Sequence, residues 1–196
     1  GKHPNLVTAF YFDVMEHVPT LFIEYIEGTD LKHIIAESAD KKQDIPLDIV
    51  LDYAIQICRA VGHLHRSGVI HRDLKPSNIL IATEPGGPGR IKITDMGLSK
   101  IKGSAASKEA TVVTKQLSDD LTQTFEMLGT PQYMSPQQYA FSKGVDEETD
   151  IYAFGLILYE MLAQGKKPFQ ASDSQGWFYA HTYAAPQHVK TQVSSR

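Results

Sequence analysis

The run His71-Arg72-Asp73-Leu74-Lys75-Pro76-Ser77-Asn78 places a carboxylate, an ammonium and a carboxamide at successive offsets of two and three residues on one short segment. A second carboxylate, Asp95, follows seventeen residues after Asn78, in the run Asp95-Met96-Gly97. One carboxylate can orient a hydroxyl, and the ammonium can steady a moving phosphate. A carboxamide and a further carboxylate can hold metal ions. Together these are the parts needed to move a phosphoryl group from a metal-bound nucleotide to a hydroxyl.

Chemistry of this kind needs its groups fixed, and the flanking residues supply short rigid elements. Ile79-Leu80-Ile81 and Ile91-Lys92-Ile93 read as strands. The turn-rich Glu84-Pro85-Gly86-Gly87-Pro88-Gly89-Arg90 joins them. Its glycines lie between two strands rather than before a helix, so they predict a connector and not a phosphate cradle. Upstream, Pro46 suits the first position of a long helix, where its missing N–H costs nothing. Val50, Tyr53, Ala54, Ile57, Val61 and Leu64 form one apolar stripe on it, and Gly68 ends it. Leu6 to Phe12 and Leu21 to Ile26 read as a hairpin turning at Glu16-His17-Val18-Pro19. Gly28-Thr29 is expected to break the second strand, with Thr29 capping a short helix that carries Leu31, Ile34 and Ile35. Asp40 to Asp44 reads as a solvated charged linker.

Downstream of Asp95, the polar and aperiodic stretch from Lys100 to Gln123 reads as a mobile loop. Asp150 to Ala163 is apolar almost all round and predicts a helix buried on every side, stopped by Gly165 and Pro168. Trp177 to Tyr183 is a further candidate helix, and His188 to Arg196 carries no clear signal.

The bulk composition describes an ordinary soluble globule. Apolar residues make up 42% of 196, charged residues 21%, and the net charge is −4. No basic excess points to nucleic acid, and no apolar run is long enough to span a membrane. The single cysteine, Cys58, sits in an apolar helical run and is expected to be buried. A lone cysteine makes no disulfide within the chain, which is compatible with a reducing, cytoplasmic setting.

The octapeptide followed by Asp-x-Gly resembles the catalytic segment of eukaryotic-type protein kinases, and the resemblance can be followed from Gly1 to about Tyr183. It implies an α+β, two-lobed fold. Residues 1–26 would be a remnant of the small β-lobe and hinge, and 27–196 most of a mainly helical large lobe. The implied cofactors are ATP and Mg²⁺, and the implied partner is a protein substrate offering a Ser or Thr hydroxyl. Asp73 would orient or accept the hydroxyl proton, Lys75 would contact the γ-phosphate, and Asn78 and Asp95 would hold metal. Leu21 to Gly28 is similar to the fifth strand and hinge of the family. There Ile23 would be the gatekeeper, the Glu24 carbonyl and Ile26 N–H would meet the adenine edge, and Asp30 would lie near the ribose. Leu80 would floor the adenine, with Ser77 among the nucleotide-contacting residues. His71 is expected to pack rather than titrate, and Asp150 to anchor the catalytic segment. Lys75 and the segment Gly129-Thr130-Pro131-Gln132-Tyr133-Met134-Ser135-Pro136 are similar to the serine/threonine branch, in which Thr130 would bridge Asp73 and Lys75.

Departures from the family pattern are also present. Met96 stands where Phe is usual, and Gln137 where Glu closes the substrate-binding segment. No glycine-rich loop or strand lysine precedes Gly1, so the sequence reads as a piece of a longer kinase rather than a degenerate one. Two other readings stand beside it. A pseudokinase scaffold would be marked by loss of Asp73, Asn78 or Asp95, all of which are present. A small-molecule kinase of related fold would share the Asp-to-Asn spacing but lack the 129–136 segment. Arg72 beside Asp73 predicts control by an anion from the intervening loop. Thr124 is the expected phosphorylation site, with Thr122, the permanent charge of Glu126, or a plain solvated linker as alternatives.

Overall fold

The computed structural model describes residues 2–16, 18–96, 130–139 and 146–189. The first strands, β1 (Ala9–Met15) and β2 (Val18–Ile23), pair antiparallel with Phe12 opposite Leu21 and Met15 opposite Val18. The hairpin is therefore present, but its strands run into the expected turn. Leu6 and Val7 leave it altogether: Leu6 bridges Ile93, and the Val7 N–H donates to the Ile93 carbonyl at 2.9 Å. Both are buried, whereas every residue of β1 is exposed. The apolar start of the chain thus serves the core, not the hairpin.

The second strand ends at Ile23, earlier than expected, and Gly28–Asp30 opens a separate sheet as strand β3, paired antiparallel with β4 (Ile79–Ala82), which pairs with β5 (Arg90–Ile93). Glycine is required by the close approach, because a Cβ on Gly28 would lie 2.0 Å from the Ile81 carbonyl oxygen. β3 runs on through Asp30, opposite Leu80, and the next helix, α1 (Leu31–Lys41), starts only at Leu31, so its cap is Asp30 rather than Thr29. Its carboxylate accepts the His33 N–H at 2.7 Å. The helix runs into the stretch expected to be linker and stops at Lys42, whose φ is 51°.

Helix α2 (Leu47–Arg66) begins one residue later than expected, with Pro46 as its N-cap. Val50, Tyr53, Ile57, Val61 and Leu64 are buried and Ala54 is half-buried, as the stripe predicts. Gly68, with φ 70°, receives the chain as it leaves the helix. Cys58, however, is exposed. It lies one residue round from the buried Ile57, on the outer face with Leu51 and Ile55, so apolar neighbours in sequence did not mean burial.

Short α3 (Pro136–Tyr139) precedes α4 (Glu148–Leu162), which packs on α2. Ile57, Ile79, Ile91, Ile93 and Ile157 meet there at 0% exposure. Each such side chain taken from water contributes about 1.5–3 kcal/mol. Helix α4 is not buried on every side, because Ile151 and Gly155 face outward. Helix α5 (Ser174–Tyr183), capped by Asp173, joins Met134, Tyr139 and Trp177 in a second, smaller cluster. The 84–89 segment is the expected connector between β4 and β5. The loop expected over Lys100 to Gln123, and Thr122, Thr124 and Glu126 with it, lies outside the described residues.

Candidate active site

Asp150 lies in the first turn of α4 and is 0% exposed. Three donors converge on its carboxylate: the backbone N–H groups of His71 and Arg72, each at 2.9 Å, and His65 Nε2 at 2.7 Å. A buried carboxylate satisfied in this way is structural. It fixes the segment where Arg72 takes the left-handed conformation, φ 69°, which costs on the order of 1–3 kcal/mol for a residue with a side chain. His71, 1% exposed, approaches the Thr94 carbonyl with Nε2 at 2.9 Å, and its Nδ1 accepts the Asp73 N–H at 3.3 Å. Those partners select the neutral ring protonated on Nε2. His71 is packing and scaffold, as expected.

The chemistry-bearing side chains meet directly. Lys75 Nζ lies 2.8 Å from Asp73 Oδ2 and donates to Thr130 Oγ1 at 2.9 Å. Asn78 Nδ2 donates to the Asp73 carbonyl at 2.9 Å and approaches Asp73 Oδ2 at 3.4 Å. The turn Pro76–Asn78 shapes this, with Pro76 as its first residue and Ser77 half-buried at its centre. Thr94 N–H bonds the Asn78 carbonyl at 3.0 Å, so the end of β5 is laced to the same turn. The next residue is Asp95, exposed and at φ 61°. Asp73, Lys75, Asn78 and Thr130 are thus in mutual contact, and Asp95 follows the end of β5 one residue after Thr94.

Asn78 and Asp95 carry the oxygen donors that would suit a magnesium ion. Asn78 spends its N–H groups on Asp73, leaving Oδ1 as its acceptor, and Asp95 adds a carboxylate. Among the described residues no three His, Cys, Asp or Glu side chains cluster as a metal cage. Two protein oxygens suit Mg²⁺, which keeps water and phosphate oxygens as its other ligands.

The residues expected around a nucleotide base are arranged less tightly. Asp30 and Leu80 are paired across β3 and β4, and Leu80 faces Lys92 on β5. Glu24 Oε1 accepts from the Thr8 N–H at 2.7 Å and from Lys92 Nζ at 2.8 Å. The Lys92 hydrogen bond leads in holding the Glu24 carboxyl below its usual range. Ile23, the expected gatekeeper, is 42% exposed, and Ile26 is half-buried.

Several participants were missed from sequence. His65, Lys92, Gln138 and Glu160 carry no local motif, and their partners lie far along the chain. Glu160, buried in α4, accepts the Tyr133 hydroxyl at 3.2 Å. Burial pushes the Glu160 carboxyl up, while burial pushes the ammonium of nearby Lys167 down. The 130–136 segment is further pinned by the Tyr139 hydroxyl, which donates to the Pro131 carbonyl at 2.6 Å.

A loop anchored on a buried aspartate, with Asp, Lys, Asn and Thr in mutual contact, carries the resemblance into three dimensions. A family model described as the protein kinase domain matches residues 1–195. The chain belongs to the protein kinase domain family. It is 36% identical over 167 residues to a probable serine/threonine-protein kinase of Clostridium acetobutylicum, covering 85% of this chain and 22% of that protein. It is 31% identical to a probable serine/threonine-protein kinase of Corynebacterium efficiens over 98% of this chain and 26% of the relative. With a serine/threonine-protein kinase of Myxococcus xanthus the identity is 34%, over 94% of the chain and 31% of the relative. This kinase-domain chain therefore spans between 22% and 31% of the length of these curated relatives. No helix among its described residues is long and apolar enough to cross a membrane.

Proposed function

We propose that the protein carrying this domain transfers the γ-phosphoryl group of Mg²⁺-bound ATP to serine or threonine hydroxyls of other proteins. The observation that carries the reading is the contact of Lys75 with both Asp73 and Thr130. It links the group that would orient the hydroxyl to the segment that would receive the polypeptide. In this reading 1–26 is the hinge and the remnant of a small lobe, and 27–196 most of the large lobe.

Asp73 holds the incoming hydroxyl and takes its proton as the oxygen–phosphorus bond forms and the bond to the leaving ADP oxygen breaks. Lys75 keeps a third N–H for the γ-phosphate after bonding Asp73 and Thr130. Asn78 and Asp95 would hold the metal, which when bound neutralises charge on the β- and γ-phosphate oxygens. The Glu24 carbonyl and Ile26 N–H would meet the adenine edge, with Leu80 beneath it. Asp30 would use the oxygen that does not cap α1 for the ribose.

The test is radiolabelled phosphate transfer to a protein substrate by the full-length protein. Asp73→Ala should lower kcat by about 10²–10⁴-fold, the range for loss of a positioned general base. Asp95→Ala should abolish Mg²⁺-dependent turnover. Near wild-type transfer by either variant overturns the assignment.

A further inference from the structure

Gln138 lies outside every motif noted in the sequence, yet its amide is bonded at both ends. Oε1 accepts the Ser135 N–H at 2.9 Å, and Nε2 donates to the Arg72 carbonyl at 2.8 Å. A reversed amide would set donor against donor and acceptor against acceptor, so the two partners fix its orientation. One end thus grips the 130–136 segment, and the other grips the residue before Asp73.

The Arg72 carbonyl belongs to the peptide whose N–H is that of Asp73. This peptide is held on both edges: its N–H by His71 Nδ1 at 3.3 Å and its carbonyl by Gln138. Arg72 itself is in the left-handed region, φ 69°, which a residue with a side chain adopts only when its surroundings impose it. Asp150 supplies one restraint by accepting the Arg72 N–H at 2.9 Å, and Gln138 supplies the other. A second connection closes the circuit, because Ser135 Oγ lies 3.2 Å from Thr149 Oγ1, next to Asp150. Ser135 and Asp150 are both 0% exposed, so the circuit runs through the interior.

We infer that Gln138 is a positioning residue for phosphoryl transfer, setting the Arg72–Asp73 peptide plane, and with it the Asp73 carboxylate, relative to the segment that receives the substrate. The inference rests on the kinase reading above. Gln138 itself touches no reacting atom in this account.

The experiment uses the full-length protein, ATP and a serine-containing peptide, with Gln138→Met and Gln138→Glu. Methionine keeps the length and removes both bonds. Glutamate keeps an acceptor for the Ser135 N–H but turns a carboxylate oxygen toward the Arg72 carbonyl. Both should lower kcat by about tenfold or more, since small misplacements of a reacting group are costly, and both should leave KM for ATP unchanged. Both variants should still unfold in one cooperative transition, with a melting temperature lowered only as far as the lost hydrogen bonds require. A merely structural clamp on Ser135 predicts instead that Gln138→Glu is close to wild-type. That result, unchanged kcat in both variants, or failure of both to fold, overturns the inference. An inactive wild-type protein would remove the kinase reading itself, whereas an active wild-type with unaffected variants removes only the role of Gln138.

Discussion

Asp150 exchanges no proton with substrate in the proposed reaction, yet the catalytic segment hangs from it. Replacing it with Ala would strand the His71 and Arg72 N–H groups and His65 in the interior. Each buried donor left without a partner costs about 1–3 kcal/mol. Asp150→Ala should therefore lower stability by roughly 3 kcal/mol or more, and Asp150→Asn, which keeps one oxygen, by less. Denaturant titration measures both, and equal stability of Ala and wild type would refute the anchoring role. Thr130 poses a different question, because its hydroxyl accepts from an ammonium that would also serve the phosphate. A hydrogen bond to a charged group is worth about 1.5–3 kcal/mol, so Thr130→Val should cost about ten- to a hundredfold in kcat. Thr130→Ser should restore most of it. If Val and Ser behave alike in steady-state kinetics, the hydroxyl is irrelevant.

Between β2 and β3, the Glu24 carboxylate joins the strand-to-strand connection to β5 through Lys92 and to the start of the chain through the Thr8 N–H. Its folded-state pKa is depressed, chiefly by the Lys92 hydrogen bond. The sign of the pH dependence follows. A carboxyl depressed on folding stabilises the protein above its unfolded pKa of about 4.3, and that stabilisation is lost as pH falls through the lower folded value. Thermal melts of wild type and Glu24→Gln should thus differ at neutral pH and converge on acidification. A gap that persists or widens in acid would show that the carboxylate's charge is not the source. The chain-wide register of β3, β4 and β5 makes this connection matter, because Leu80 sits directly between Asp30 and Lys92.

At the scale of the whole molecule, the two sheets have opposite surroundings. The three-stranded sheet of β3, β4 and β5 lies in the main core, while the two-stranded sheet exposes Phe10, Tyr11, Phe12, Val14, Met15 and Val18. Among the described residues its strands have no further sheet neighbour, and long apolar strands exposed in this way template association with other chains. Residues 1–196 prepared alone should accordingly aggregate with rising concentration. Phe10→Lys with Phe12→Lys should reduce this, because lysine on an edge opposes pairing. Light scattering reads the outcome, and a wild-type preparation that stays monomeric at high concentration would contradict it.

The sequence by itself determined the parts whose causes are local. Asp73, Lys75 and Asn78 are close in the chain, so their spacing alone brought them within reach. The 3.6-residue period of α2 and the β-branched runs of β4 and β5 are likewise written in neighbouring residues. What only the tertiary structure decided depends on partners distant along the chain. Gln138 meets Arg72 across 66 residues, and His65 meets Asp150 across 85. Neither pair leaves a trace in local composition. The cap of α1 fell to Asp30 because pairing with β4 extends through Asp30 and the helix starts only at Leu31. Leu6 and Val7 joined the core because β5 offered them hydrogen bonds. Cys58 and Ile151 are exposed because the neighbouring elements cover the opposite faces of their helices. Periodicity tells which residues share a face; only packing tells which faces are covered, because burial is a property of what lies opposite.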